Sequence, residues 1–310
     1  ARVRLRSDGD VLVQSASHEI GTGIRTVAGQ MAAEQLGVSF DQVKVEMGDT
    51  DLPPAPVSGG SNSTASVCSA VLTACRQIQD RLFGAAVASN SGALAGMNPA
   101  DLVIRSGEVV AKDGASQKLR DVFGLLHAGA IEEYAEFIPD GAPPDAVQQL
   151  YEGKLTMTGG PEGKKAKYAY GAEFVEVRIN TRTGEIRVPR LVGAFTAGRI
   201  MNTRTARSQL MGGLIWGMSA ALLEATEIDE RAARTVNRDL QDYFIPVNAD
   251  VQEVQVILLP EVDHEVNPAG VKGLGELGNV GTNAAVANAV FHATGKRIRY
   301  LPIRLENLLA

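Results

Sequence analysis

Cysteine is almost absent from this 310-residue chain, which contains only Cys68 and Cys75. The two lie seven positions apart in a segment whose apolar spacing predicts a helix, so they are separated by roughly 10 Å along the axis. A disulfide within one helix cannot bridge that distance, and no cysteine cluster is available to bind an iron–sulfur centre. A cysteine-based redox centre within the chain is therefore excluded.

Long apolar runs and blocks of positive charge are also missing. The most apolar stretch, Leu210–Leu223, has 14 residues, whereas a membrane-spanning helix needs about 20. The net charge is −6 and no block of Lys or Arg stands out, so neither nucleic acid nor a membrane is expected as a partner. The hydrophobic content of 45% is that of a globular chain with a sizeable core.

Two catalytic motifs of hydrolases are incomplete or absent. His18-Glu19 begins the H-E-x-x-H zinc motif, but position 22 is Thr. No G-x-S-x-G sequence occurs. The spacing Gly213-x-x-x-Gly217 is found in membrane helix dimers, but in so short an apolar run it indicates a helix of a globular protein that packs closely against a neighbour.

Glycine, by contrast, is abundant, with 33 residues, and the segments between glycines predict both strands and helices. The order strand, glycine turn, strand, loop, helix occurs twice, beginning near Val3 and near Ala172. Hairpins mixed with helices predict an α+β fold with mixed sheets, arranged as two consecutive α/β-layered domains. The polar, glycine-rich stretch Pro139–Lys167 places these domains at residues 1–155 and 156–310. Arg297–Ile303 is predicted to be a closing strand.

The most specific motif is the glycine loop Gly270–Thr282. Gly273, Gly275 and Gly278 form a literal G-x-G-x-x-G, but a dinucleotide-binding fold needs a strand directly before the loop and an acid about 20 residues later. Pro268 interrupts any such strand, and the expected acid is missing. The sequence therefore disfavours a dinucleotide-binding domain.

Glu276 is the carboxylate embedded in this loop. A glycine loop lets backbone N–H groups approach a ligand, and it provides few bulky neighbours to cover the carboxylate. Two interpretations remain open from the residues alone. Glu276 is a functional acid–base group, or it lies at a helix N-terminus and stabilises the helix dipole.

Three loops of small residues each lead into a predicted helix: Gly21–Gly23, Ser58–Thr64 and Gly278–Thr282. Unpaired N–H groups at helix N-termini favour anions, but for Thr22 and for the hydroxyls of Ser58–Thr64, each taken alone, helix capping is the favoured role. Three such junctions in one chain favour an anionic ligand. We expect the three loops to converge on one site.

These residues resemble the molybdenum hydroxylases of the xanthine dehydrogenase/aldehyde oxidase family. Ala269–Glu276 (AGVKGLGE), followed by an alanine-rich helix, is similar to the family's C-terminal motif. His18–Gly23 resembles its E-M-G-Q-G segment, with Thr22 in place of Gln, and Ser58–Ser63 resembles a G-S-R-type loop, with Asn62 where Arg is often found. The resemblance covers essentially the whole chain. It points to the C-terminal part of the molybdopterin-binding large subunit, as in bacterial aldehyde dehydrogenases of the periplasmic type.

The resemblance implies roles for particular residues. Glu276 matches the family's general base, which deprotonates a hydroxide on molybdenum; that oxygen then attacks an electrophilic carbon, and hydride passes to a sulfido ligand. The metal is held through the pterin dithiolene, without a direct protein ligand. The residues implied in cofactor binding are Gly21, Thr22, Gly23, Gly60, Ser61, Asn62, Ser63, Gln209, Val271, Lys272, Gly273, Gly275, Asn279, Gly281 and Thr282.

The resemblance also implies cofactors and partners. Molybdopterin with molybdenum is expected in its cytosine dinucleotide form, and 2Fe–2S clusters and FAD are expected on other subunits or domains. The family's Gly-Gly-Gln and Gly-Phe-Gly-Gly-Lys-type motifs are missing, so an N-terminal remainder of the large subunit is a further expected partner. The implied reaction is hydroxylation of an aldehyde or N-heterocycle with water-derived oxygen, in the cytoplasm or periplasm of a bacterium.

Two alternatives remain beside an aldehyde-oxidising enzyme. Within the same family, the chain would belong to a xanthine or purine dehydrogenase. In another class, it would be a non-catalytic module that binds a cofactor or anion, and the presence of Glu276 argues against that class.

Overall fold

The computed structural model describes residues 1–154 and 165–309. The domain boundary predicted between residues 155 and 156 lies outside the described residues. The chain forms two compact units, and each has helices and a mixed sheet, which confirms the predicted α+β fold. The units are Ala1–Lys167 with Val262–Lys272, and Tyr168–Glu261 with Gly273–Ala310.

The first unit contains a four-stranded sheet, a small antiparallel sheet and helices. Its elements are β1 (Arg2–Arg6), β2 (Val11–Ser15), α1 (Ile24–Leu36), β3 (Val43–Met47), α2 (Ser63–Ala88), β4 (Leu102–Arg105), β5 (Glu108–Ala111), β6 (Ser116–Lys118), α3 (Leu119–Leu125), β7 (Ala130–Tyr134) and α4 (Ala146–Tyr151). The main sheet has the order β3-β2-β1-β7, in which β1 is antiparallel to β2 and β7, and β3 is parallel to β2. Strands β4, β5 and β6 form the smaller sheet.

The residues that form the core of the first unit are those that recur with the period of a strand or a helix. Val3 and Leu5 alternate along β1 and are fully buried, as expected for a strand with one face on a core. Cys68 and Cys75 both lie on α2 and are buried, seven positions apart on one helix as the sequence pattern predicted. Ser69 Oγ on the same helix donates to Asn267 Oδ1 at 3.4 Å, which ties the segment Val262–Lys272 into this unit.

The second unit places helices on one face of a three-stranded sheet. Its elements are β8 (Tyr170–Ile179), β9 (Ile186–Thr196), α5 (Thr203–Leu222), β10 (Ile228–Asp229), β11 (Arg234–Thr235), β12 (Glu253–Leu258), α6 (Thr282–Thr294) and α7 (Glu306–Leu309). The sheet order is β12-β9-β8, with β8 antiparallel and β12 parallel to β9. Leu191 and Phe195 of β9 pack with Leu210, Leu214 and Met218 of α5 in a buried cluster. None of the described helices combines the length and the apolar character of a bilayer-spanning segment.

The predicted internal repeat is present and extends further than the sequence pattern indicated. The hairpin β1–β2 leads through a loop to α1, and the hairpin β8–β9 leads through a loop to α5. In each unit a later strand then pairs parallel to the second strand of the hairpin: β3 with β2, and β12 with β9. The two units therefore share a topology of four elements.

The predicted closing strand Arg297–Ile303 is wrong. No strand is assigned among these residues, and the short helix α7 follows them. Pro302 has no N–H to donate to a sheet, and the N–H of Ile303 donates to the carbonyl oxygen of Ala221 near the end of α5 at 2.7 Å. Ile303, only 3% exposed, packs in a cluster with Ala221 of α5 and with Val286 and Val290 of α6, whereas Tyr300 and Leu301 are exposed.

Candidate functional site

The glycine loop that precedes α1 is organised by a carboxylate. Glu19 Oε1 accepts hydrogen bonds from the N–H groups of Gly21 at 2.9 Å and Gly23 at 3.1 Å, and Oε2 accepts from the N–H of Arg25 at 3.0 Å. Partial burial raises the pKa of Glu19, but these N–H donors outweigh it and hold the pKa below its ordinary value. The N-terminus of α1 therefore already holds an anion, supplied by the chain itself.

The glycines in this loop are required by its backbone conformation. Gly21 and Gly23 have φ angles of +95° and +88°, a region that side chains with a Cβ atom rarely enter. The N-cap of α1 is Gly23 and not Thr22, and no side chain caps it. Cofactor contacts of Gly21–Gly23 stay a prediction, but two of the N–H groups in question are occupied by Glu19.

The loop before α2 lies against the loop before α1. Ser58 Oγ donates to the carbonyl oxygen of His18 at 3.2 Å and lies 3.4 Å from His18 Nδ1. Gly60 and Ser61 both have positive φ, +63° and +58°, so the chain turns sharply into Asn62, the N-cap of α2. The contact is made by His18 and not by Gly21–Gly23, so convergence of these two predicted loops stays a prediction.

The side-chain amide of Asn62, in the loop before α2, makes no hydrogen bond. Its Nδ2 and Oδ1 atoms are both buried without a hydrogen-bond partner, and the hydroxyl of Ser17, next to His18, is in the same state. A buried polar group without a partner costs about 1–3 kcal/mol. The Asn62 side chain makes no capping hydrogen bond to α2, so an amide donor and acceptor are both available for a polar ligand.

Glu276 lies in the second unit, in an exposed position. It is the N-cap of a single 3-10 turn, Leu277–Asn279, and its side chain makes no capping hydrogen bond. The next helix, α6, begins only at Thr282. One 3-10 turn carries little dipole, so stabilisation of a helix N-terminus does not account for this carboxylate.

The loop that carries Glu276 packs directly on α5. A Cβ atom on Gly213 would lie 2.9 Å from Gly278 Cα, and a Cβ atom on Gly217 would lie 2.5 Å from Thr282 Cβ. From the other side, a Cβ atom on Gly278 would lie 2.5 Å from the carbonyl oxygen of Leu210. The prediction that Gly213 and Gly217 permit close helix packing is confirmed, and Gly278 is a packing glycine as well.

Two polar side chains of the second unit hold the same loop on either side of Glu276. Gln209 Nε2 on α5 donates to the carbonyl oxygen of Gly275 at 2.7 Å. Thr282, fully buried, donates through Oγ1 to Glu173 Oε2 at 2.8 Å. Gln209 and Thr282 were predicted to contact the cofactor, which stays a prediction; here both bind parts of the chain.

The N-terminal part of the glycine loop belongs to the first unit and is held there. Both the N–H and the carbonyl of Val271 bind the side-chain amide of Asn267, at 3.2 and 2.7 Å. Lys272 Nζ lies 3.0 Å from Asp263 Oδ2 with 9% of its side chain exposed, and this pairing lowers the pKa of Asp263. The chain passes into the second unit between Lys272 and Gly273. Convergence of Gly278–Thr282 with the two loops of the first unit stays a prediction.

Neither a cavity nor a cluster of metal-binding side chains points to a different site among the described residues. A cavity of about 740 Å³ lies in the second unit, between the start of β9, the end of α5 and Pro302–Glu306, but none of the predicted site residues lines it. No group of three or more His, Cys, Asp or Glu side chains within residues 1–154 and 165–309 is arranged to hold a metal ion.

Sequence reasoning missed the roles of Glu19 and Glu173, whose carboxylates accept hydrogen bonds at the N-termini of α1 and α6. Glu19 carries a local signal, since an acid just before a glycine loop and a helix can reach back to the first N–H groups. Glu173 carries none, because its partner Thr282 is 109 residues away.

Comparison with known proteins gives consistent matches. A family model described as the molybdopterin cofactor-binding domain matches residues 1–252. The chain is 36% identical over 309 residues to the aldehyde oxidoreductase molybdenum-binding subunit PaoC of Escherichia coli K12, and 28% identical over 311 residues to the xanthine dehydrogenase molybdenum-binding subunit of Escherichia coli O157:H7. These matches cover 100% and 99% of this chain, but 38% of the length of each relative.

The fold is shared with solved structures at lower identity. Quinoline 2-oxidoreductase from Pseudomonas putida 86 superposes with a TM-score of 0.79 at 22% identity, over 99% of this chain and 37% of that protein.

Proposed function

The chain belongs to the molybdopterin cofactor-binding domain family, and on that premise we propose that it forms part of the molybdenum-binding subunit of an oxidoreductase that hydroxylates aldehydes, with Glu276 as general base. The observation that carries the proposal is the exposed Glu276 carboxylate in a loop fixed by Gln209 and by the glycines of α5. The higher identity to an aldehyde oxidoreductase subunit, 36% against 28% for a xanthine dehydrogenase subunit, supports aldehydes over purines.

The residues of the first unit fit the polar cofactor that this family binds. Molybdopterin presents ring nitrogens, a carbonyl and a phosphate, which together need hydrogen-bond donors and acceptors. Asn62 offers one of each, both buried and unpaired, and Ser17 adds a hydroxyl. We therefore propose that Asn62, at the junction with α2, holds the cofactor, with Gly60, Ser61 and Ser63 beside it.

The carboxylate at the start of α1 limits where a phosphate would bind. Glu19 already accepts from Gly21, Gly23 and Arg25, and its charge would repel a second anion at that helix end. The phosphates of the cofactor are better accommodated by the loop before α2.

The chain's own residues act on the substrate mainly through proton transfer. When bound, the molybdopterin group supplies the two-electron oxidation of the substrate carbon. Glu276 accepts the proton released at that step on a carboxylate oxygen, a contribution typically of 10²- to 10⁴-fold in rate. Its position is fixed before the reaction because Gly275 is bonded to Gln209 and Gly278 abuts Leu210, so little reorganisation is needed.

The remaining parts of the proposal concern cofactor form and partners. We propose the cytosine dinucleotide form of molybdopterin, with electrons passing to 2Fe–2S and FAD groups on other subunits or domains. One relative, from Paenarthrobacter nicotinovorans, is named as subunit gamma of a dehydrogenase complex, which supports a multi-subunit assembly.

The proposal is tested on the intact complex. We expect stoichiometric molybdenum, release of a cytosine nucleotide on acid hydrolysis of the cofactor, and dye-linked oxidation of aromatic or aliphatic aldehydes at a higher kcat/KM than xanthine or hypoxanthine. A complex without molybdenum would overturn the proposal, and turnover restricted to purines would overturn the choice of substrate.

Replacement of Asn62 by Leu separates cofactor binding from stability. The variant removes two buried unpaired atoms, so the apo-protein should melt at the same or a higher temperature, in line with about 1–3 kcal/mol per unpaired group. The molybdenum and pterin content of the purified complex should fall several-fold. Both quantities are measured by metal analysis, pterin fluorescence and thermal melting.

The matched control is Gln117→Leu. The amide oxygen of Gln117 is also buried and unpaired, but Gln117 belongs to β6 of the small sheet and to none of the candidate loops. This variant should leave the molybdenum content unchanged. A full complement of molybdenum in Asn62→Leu would remove Asn62 from the proposed site.

A further inference from the structure

The carboxylate of Glu173 lies at the N-terminus of α6, just after the turn that follows Glu276. Thr282 Oγ1 donates to Glu173 Oε2 at 2.8 Å, and the backbone N–H of Gly281 donates to the same carboxylate. A Cβ atom on Gly281 would lie 2.9 Å from that Oε2 atom. Glu173 stands on β8, so it joins the sheet to the C-terminal end of the loop.

The Thr282 hydroxyl has two acceptors within reach but only one proton to donate. Its Oγ1 atom lies 2.8 Å from Glu173 Oε2 and 3.0 Å from the carbonyl oxygen of Gly278. A hydrogen bond to an ionised carboxylate is roughly twice as strong as a neutral one. The hydroxyl therefore donates to ionised Glu173, whereas with a weaker acceptor it would donate to Gly278 and the hydrogen bond between Thr282 and β8 would be lost.

Glu173 is partly buried, and this burial disfavours the ionised form of its carboxylate. Burial raises its pKa above the ordinary value, and the hydrogen bonds from Thr282 and Gly281 offset this shift only in part. No charged side chain of the described residues contributes to the shift. A carboxylate whose pKa is raised by folding lowers the stability of the folded chain at neutral pH. Groups that destabilise the fold in this way are concentrated at functional sites.

We propose that Glu173 is a positioning residue for Glu276, which it serves by holding Gly281 and Thr282 against β8. The inference rests on the proposed function of Glu276 as general base. Gln209 fixes the loop before Glu276 and Glu173 fixes it after, so the base is held from both sides. A displacement of about 1 Å at a reacting group can reduce the rate by about 100-fold.

The test compares single variants of the intact enzyme. Glu173→Gln keeps the shape of the side chain but removes its charge, and we expect kcat to fall at least about tenfold, with KM and molybdenum content near wild type. Thr282→Val should lower kcat in the same way because it lacks the hydroxyl. Thr282→Ser, which keeps the hydroxyl, should restore most of the activity.

Thermal stability provides a readout that does not depend on turnover. A carboxyl group whose pKa is raised by folding favours the folded state at acid pH, and this contribution is lost as the pH rises through the pKa of Glu173 in the folded state. Glu173→Gln should remove this dependence. At neutral pH its melting temperature should therefore equal or exceed that of wild type, even though kcat is lower.

The control is Glu253→Gln on β12, an exposed carboxylate of the same sheet, which should change neither kcat nor melting temperature. Wild-type kcat in Glu173→Gln, alongside an inactive Glu276→Gln, would overturn the inference and leave the proposed function standing. Joint loss of melting temperature, molybdenum and activity in Glu173→Gln would show a merely structural role and overturn it too. Full turnover in Glu276→Gln would overturn the proposed function itself.

Discussion

Glu276→Gln is expected to reduce turnover of the intact enzyme by about 10²- to 10⁴-fold while its molybdenum content stays at the wild-type level. Glutamine keeps the size of the side chain and can still accept a hydrogen bond through its carbonyl oxygen, but it cannot take a proton at neutral pH. The loop backbone should be unaffected, because its anchors at Gln209 and Gly278 do not involve the Glu276 carboxylate.

The measurement is kcat with an aldehyde substrate, together with molybdenum analysis of the same preparation. Glu253→Gln, an exposed carboxylate on β12, serves as the control and should remain fully active. If Glu276→Gln kept more than a tenth of the wild-type rate, the loss of transition-state stabilisation would be under about 1.4 kcal/mol. That is too little for a general base, and the assignment would be wrong.

Gly213→Ala and its neighbour Gly212→Ala are expected to have opposite effects. A Cβ atom on Gly213 would lie 2.9 Å from two backbone atoms of Gly278 and 3.1 Å from the backbone nitrogen of Asn279. A backbone cannot rotate away as a side chain can, so α5 and the loop must separate. We expect a loss of about 1–3 kcal/mol in stability and a fall in kcat of at least about tenfold, because Glu276 moves with the loop.

Gly212 is the matched control because a Cβ atom there has no neighbour within 4 Å. Alanine in a helix interior is more stable than glycine by roughly 0.5–1 kcal/mol, so Gly212→Ala should raise the melting temperature and leave kcat unchanged. The melting temperature and kcat of each variant are measured and compared with those of the wild type. Equal behaviour of the two variants would mean that α5 does not support the loop at Gly213.

The elements predicted correctly are those whose signals are local. Helices α1 and α6 end at Gly37 and Gly295, both in the left-handed conformation that glycine adopts easily. The β8–β9 hairpin is indicated by its alternating strands and by the Thr183–Gly184 turn. In these cases the residues that define the element are also its nearest neighbours in sequence.

The elements that sequence reasoning missed or predicted wrongly depend on distant partners. Strand β7 has the polar sequence Ala130–Tyr134 and gains its strand structure by pairing with β1, about 130 positions earlier. Arg297–Ile303 has apolar residues at alternate positions, yet Ile303 is bonded to a carbonyl at the end of α5. Neither pairing leaves a trace within a short window of sequence.

The candidate site divides in the same way. Glu276 and the glycine loop are recognisable because a single carboxylate among glycines is unusual. The residues that hold the loop, Gln209 and Glu173, are 66 and 109 positions from their partners. Their contribution becomes visible only when α5, α6 and β8 are placed together within the second unit.

The first unit is discontinuous, and this has a consequence for how the protein is made. Its last piece, Val262–Lys272, leaves the ribosome only after most of the second unit, Tyr168–Glu261, has been synthesised. Chains emerge at about 5–20 residues per second, so Asn267 is synthesised roughly 10–35 seconds after α2, which ends at Ala88, is complete. During that interval the first unit lacks the segment Val262–Lys272. The loop that carries Glu276 is synthesised directly after this segment. Any attempt to express the two halves as separate proteins, cut near residue 155, would therefore deprive the N-terminal half of a segment that belongs to it.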